Sequence, residues 1–227
     1  MCYIIFDPWV KGGEMNTSFD KLPADKRAFI LGVCMDVFTE YGYALANTNE
    51  IAKMCGIAKG SIFHYFGSKR ELFLYICRYC MDTVLVKTRE ALSGSGGGTY
   101  FDRARRSVAA KLTVPQTCPR ETQLLARATG ERGHDAADEL HALMNNYAAQ
   151  MRSLSAEFLG EIEPELLRDG VDLGDAQEYI RTVFDGVTAC VLQTLSPKKL
   201  LDEPHILEDE LNKTIRFILH GIGRDES

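Results

Sequence analysis

Lys59, Gly60 and Ser61 are three consecutive residues suited to one kind of chemistry, contact with a nucleic-acid backbone and its base edges. An ammonium at the start of a helix adds its charge to backbone N–H groups that have no intrahelical partner, and both are directed at phosphate. Gly60 permits close backbone approach, and the short Ser61 hydroxyl serves either a base edge or a phosphate. Other reactive residue types lack companions at useful spacing. His134 with Asp135, and His141 further on, are not accompanied by a nucleophile, a metal cluster or a cofactor loop, so they read as solvated helix residues rather than an acid–base pair. Cys77 and Cys80 stand at i, i+3 with no second Cys/His pair of metal-ligand spacing, and read as core cysteines. The stretch 93–99, SGSGGGT, has loop composition without the Lys-Ser/Thr ending of a phosphate-binding loop.

The elements that must position Lys59–Ser61 are legible in residues 48–66, TNEIAKMCGIAKGSIFHYF. Thr48 is a helix N-cap candidate. Ile51, Ala52 and Cys55 follow on one helix face, and Gly56 stops that helix at a position suited to positive φ. Ile57, Ile62 and Phe66 supply the apolar side of a second short helix. The small Ala52, four residues before the turn glycine, lets the two helices cross closely, which is helix-turn-helix spacing. Ahead of them, Phe29, Ile30, Val33, Cys34, Val37 and Phe38 form a buried stripe on a helix over about 24–41, closed by Gly42. After them, Ser68 with Glu71 predicts a capping box for a helix running to about Leu92.

This set of marks resembles the TetR family of bacterial transcriptional repressors over about Lys26–Leu74: Phe38 and Gly42, Thr48, Ile51-Ala52, Gly56, the AKGSIFHYF segment, and Ser68-Lys69 before Leu72-Phe73. Beyond about Leu92 the likeness is architectural. The resemblance implies an all-α chain, with an N-terminal three-helix helix-turn-helix domain joined by a long fourth helix to a C-terminal helical ligand-binding and dimerisation domain. It places Phe63, His64 and Tyr65 among the DNA-contacting residues with Thr48, Lys59, Gly60 and Ser61, and makes Lys69 a phosphate-binding lysine. Phe63 stands where the family often has Tyr, which removes one phosphate hydrogen bond. The partners implied are double-stranded DNA carrying an inverted-repeat operator, a small-molecule effector and a second copy of the chain. No cofactor or metal is implied.

Charge is distributed to match. The formal net charge is −6, yet residues 21–90 hold ten Lys and Arg against seven Asp and Glu, while residues 91–227 hold fifteen against twenty-two. Local charge governs a phosphate interface because screening acts over about 8–10 Å. A ligand-independent architectural DNA-binding protein would gain nothing from so large an acidic body. No apolar run approaches the roughly 18 residues of a membrane span, so no membrane partner is expected. The seven scattered cysteines of the 227 residues argue against a secreted disulfide framework, and the expected location is the cytoplasm.

The remaining chain reads as helices over about 100–112, 120–132, 135–168, 175–195 and 205–221, with Pro115, Pro119, Pro197 and Pro204 between them and a break near Glu163. The last two carry surplus apolar surface, and Val183, Val187, Val191, Leu211, Ile215 and Ile218 are the expected dimer interface. Met144, Tyr147, Met151 and Phe158 share one stripe of a long helix and suit the wall of an effector pocket, or plain core. The expected division is 1–20 as an extension, 21–74 as the DNA-binding domain and 75–227 as the effector-binding and dimerisation domain. Residues 1–14 lack the basic start and cleavage site of a signal peptide. Either translation begins at Met15, after codons for Lys11-Gly12-Gly13 that can spell a ribosome-binding sequence, or the arm packs Tyr3, Ile5 and Trp9 on the body.

Overall fold

The computed structural model describes residues 17–93, 97–194, 203 and 205–220, and over these it is all-helical. The question of the start site and the 1–14 arm lies outside the described residues. The short α1 (Thr17–Asp20) precedes α2 (Ala24–Leu45), α3 (Thr48–Met54), α4 (Lys59–Phe66) and the long α5 (Lys69–Ser93). The body continues through α6 (Tyr100–Thr117), α7 (Pro119–Gly130), α8 (Ala137–Leu159), a 3₁₀ turn (Pro164–Leu166), α9 (Leu173–Thr194) and α10 (His205–His220).

Several predicted boundaries move, each for a local reason. Asn47, not Thr48, caps α3, its side chain accepting from the Asn49 N–H at 2.9 Å. Ser68 accepts from the Glu71 N–H at 3.0 Å, but the Glu71 carboxylate turns to Arg70 at 2.7 Å, so only half of the capping box forms. Gly42 bends α2 rather than ending it, with φ 68° and ψ 175°. Pro115 lies inside the last turns of α6, which continues until the Cys118 N–H meets the Val114 carbonyl at 3.1 Å. Helix α8 stops at Leu159 because Gly160 adopts φ 61°, and Pro164 then opens the 3₁₀ turn.

α2 is long and apolar enough to cross a membrane by length and composition, but Ile30, Leu31, Val33, Cys34, Val37 and Phe38 bury it inside this chain. Around it one core joins α2, α3, α4, α5, α7 and the start of α8, with Ile51, Ile62, Phe73, Ile76 and Leu124 all at 0–1% exposure. Each such side chain contributes roughly 1.5–3 kcal/mol. This core runs unbroken across the expected division at residue 74. A second core joins α6, α9 and α10 through Tyr100, Phe101, Val108, Ile180, Phe184, Leu211 and Ile215. Cys34, Cys55, Cys77, Cys80 and Cys118 are buried free thiols, and burial pushes Cys77 up to about 12 and Cys55 up to about 11.

Candidate nucleic-acid interface

The reading surface is built by what lies beneath it. Ile62 and Phe66 pin α4 to the core at 0% and 9% exposure. Gly56 makes the turn at φ 64°, with its N–H on the Lys53 carbonyl at 3.1 Å and the Ile57 N–H on the Ala52 carbonyl at 3.0 Å. Helix α4 then begins after Ala58, which has no side-chain acceptor, so the Lys59 and Gly60 N–H groups carry no cap among the described residues. Lys59, Gly60, Phe63 and His64 are exposed and Ser61 is half-buried, so these predicted residues share one face. Apart from its own chain neighbours and helix backbone, no described atom lies within 4 Å of the position a Gly60 Cβ would take, and the approach to the helix start is open.

Three predicted contact residues have additional attachments. Thr48 is half-buried in the first turn of α3. Tyr65 packs its ring 5.7 Å from Phe19. The Lys69 ammonium donates to the Ala44 carbonyl at 3.0 Å and lies 5.0 Å over the Tyr43 ring, which uses one of its three donors. Phe19 itself was missed: at 3% exposure it also stacks on Phe66 and Tyr75, so part of the expected 1–20 extension belongs to the head. The only signal was the apolar pair Phe19 and Leu22 just ahead of the Pro23-Ala24 helix start.

The head is fastened to the body by the segment between α7 and α8, another feature the sequence reading passed over. His134 and Asp135 lie in the turn before α8 rather than in a helix, and His134 is half-buried while Asp135 is exposed but bonded to the head. The His134 ring lies 4.5 Å from the Tyr43 ring and edge-on to Phe73, and both of its nitrogens are buried without a hydrogen-bond partner among the described residues. The Tyr43 hydroxyl donates to Asp135, and burial together with that bond pushes the Tyr43 hydroxyl up to about 12. Glu131 accepts from the Tyr43 N–H at 2.8 Å, and Glu139 accepts from Arg70 and Arg78, each at 2.6 Å. His141 is exposed, as expected.

In the body, the predicted pocket stripe divides among three surroundings. Met144 and Tyr147 pack on the head core and Phe158 on a small cluster of Leu92, Ala110 and Leu154, so these three are packing residues. Met151 alone lines the cavity of about 110 Å³ that opens between α6, α8 and α9. Of the predicted dimer residues, Leu211 and Ile215 are 2% and 3% exposed within the chain's own core, and Val183, Val187 and Ile218 are half-buried. The Val191 side chain lies outside the described residues. Among the described side chains, the large apolar ones that α9 and α10 leave exposed are Tyr179 and Phe217, at 65% and 51%. No group of three or more His, Cys, Asp or Glu residues that would hold a metal occurs among the described residues.

Residues 30–76 match the family model described as "Bacterial regulatory proteins, tetR family". The chain is 29% identical over 143 residues, 62% of its length and 70% of the relative's, to the HTH-type transcriptional regulator UidR of Escherichia coli K12. It is 33% identical over 78 residues, 34% of its length and 36% of the relative's, to the HTH-type transcriptional activator FasR of Mycolicibacterium smegmatis. A TetR family transcriptional regulator from Chloroflexus aurantiacus has the same fold, with a TM-score of 0.56 at 21% identity over 92% of this chain and 98% of that one.

Proposed function

Because the chain belongs to the TetR family of bacterial transcriptional regulators, proteins that bind DNA and are not enzymes, we propose that it is a homodimeric repressor released from a palindromic operator by a small-molecule effector. The observation that carries this reading is the α4 face. Lys59, Gly60, Phe63 and His64 are exposed together beside an uncapped helix start, while Ile62 and Phe66 hold the helix rigidly beneath them. Lys59 and the free N–H groups meet phosphate, Phe63 packs on the sugar backbone, and Ser61 and His64 reach base edges in the major groove. Two such heads read half-sites about 34 Å or more apart.

The joint at Tyr43 supports control from the body. Effector in the α6–α8–α9 cavity bears on α8, whose first turns carry Glu139 and are preceded by Asp135 and His134. A ligand that favours one setting of α8 shifts Arg70, Arg78 and the α2 bend with it, and its effect is limited to the difference in affinity between settings, typically about 1–3 kcal/mol. Electrophoretic shift of DNA from upstream of the gene, with and without cell extract, tests the reading. Retarded DNA released by a low-molecular-weight fraction is the expected result; retardation that no extract relieves removes the effector, and no retardation of any upstream fragment removes the operator.

A further inference from the structure

The α6–α8–α9 cavity is apolar inside and cationic at its rim. Tyr100, Ala104, Val108 and Phe184 line it at 3–7% exposure, while Arg152 of α8 and Arg181 of α9 also line it and are exposed. The neighbouring arginines of α6 are engaged elsewhere. Arg103 binds Glu163 at 3.0 Å and the Leu159 carbonyl at 2.6 Å, Arg105 binds Asp102 at 2.8 Å and Asn212 at 2.7 Å, and Arg106 binds the Gly97 carbonyl. Arg152 and Arg181 have no ion pair or hydrogen-bond acceptor among the described residues, although Asp185 follows Arg181 by one helical turn on the same rim. The rim therefore holds two unengaged guanidinium groups against one carboxylate, in a body whose overall charge is acidic. Guanidinium groups pair with carboxylates through parallel hydrogen bonds, so this rim favours an anion over a neutral group of the same shape.

Resting on the effector-controlled reading above, we infer that this cavity takes a compact apolar carboxylate, its hydrocarbon part inside and its carboxylate between Arg152 and Arg181. The interior of about 110 Å³ sets the size. It is somewhat smaller than the cavity of about 150 Å³ that accommodates benzene in another protein, so the buried part is one small ring or a short chain rather than a long acyl tail.

Calorimetric titration of the full chain with benzoate and hexanoate, each against its neutral amide and against benzylamine, tests the assignment without DNA. The carboxylates should bind at least tenfold more tightly than the amides, and benzylamine should not bind. Arg152→Gln with Arg181→Gln should reduce carboxylate affinity to that of the amide, and Ser155→Phe, which fills the cavity from its rim, should abolish binding of both. Equal affinity for acid and amide, an unchanged carboxylate affinity in the double variant, or no binding by any of the acids at millimolar concentration each overturns the inference. The wild-type acid-to-amide ratio keeps the test decisive should a variant fail to fold. Operator binding is measured separately on the same samples, so loss of the DNA-binding reading and loss of the ligand class are distinguished.

Discussion

Replacing Gly42 by Ala strikes the joint between head and body at one atom. The backbone there, φ 68° and ψ 175°, is a conformation open essentially to glycine, and an L-residue in it costs about 1–3 kcal/mol. A Cβ at Gly42 would also fall on the Glu131 carboxylate, with the Arg127 guanidinium 3.1 Å away. Glu131 must then leave, and its bond to the Tyr43 N–H, 2.8 Å long and partly buried, goes with it at about a further 1–3 kcal/mol. The expected loss is about 2–6 kcal/mol. Gly56→Ala is the internal control: its φ of 64° is also positive, but no atom lies within 4 Å of the new Cβ, so only backbone strain of about 1–2 kcal/mol applies. Urea denaturation followed by circular dichroism, at one fixed protein concentration because any self-association would add to apparent stability, measures both. Glu131→Ala in the Gly42→Ala background should remove the clash, so the double variant should be about 1 kcal/mol or more better than the sum of the singles. A Gly42→Ala cost no greater than that of Gly56→Ala, or strict additivity with Glu131→Ala, would refute the account of the joint.

Lys59→Ala should weaken binding to every operator variant and reduce the slope of log K against log salt by about 1, read by fluorescence anisotropy; a loss confined to one variant would make Lys59 a base contact. Glu163 accepts from the Tyr100 N–H and from Arg103, and these bonds, the backbone bond first, hold its carboxyl below the ordinary 4.5. Its stabilising effect is present above that pH and is lost as the pH falls through the lowered value, so Glu163→Gln should be less stable than wild type near neutrality and equal to it in strong acid; a constant difference at all pH values would contradict this. Phe217→Glu should yield folded monomers with weakened operator binding, while Ile215→Glu should unfold the body. Sedimentation with circular dichroism separates the two, and a folded dimer from Phe217→Glu would move the interface away from α10.

The reading head was legible because its local signals agree. Gly56 demanded positive φ, Ile51, Ile62 and Phe66 fell on the buried sides of two short helices, and the polar residues of AKGSIFHYF were left outward. What α10 packs on was less legible because it is apolar on more than one side: periodicity says that Leu211 and Ile215 share a face, not whether that face meets α6 or another chain. The stripe Met144, Tyr147, Met151, Phe158 left wall and core open for a related reason. Helix α8 has 23 residues, long enough for one stripe to pass the head core, the cavity and the Leu92 cluster in turn. His134 and Asp135 look like surface polar residues because their partners, Tyr43 and Arg70, lie about ninety and sixty-five positions away in the chain.

The unbroken core beneath the head has a bearing on recombination. Leu124, Leu125 and Ala128 of α7 pack with Ile30, Phe38 and Ile76 of the head, and the carboxylates 131–139 close on Tyr43, Arg70 and Arg78. A chimera joined at residue 74 would give the transplanted head a foreign floor and leave Arg70 and the Tyr43 hydroxyl facing unmatched groups. Gene fusions that exchange operator preference between bodies must therefore either carry α7 and the 131–139 segment with the head or confine the exchange to the outward residues of α4. Point substitution along that one face, from Lys59 to His64, is the shorter path by which a lineage with this joint can change what its head reads while keeping the joint intact.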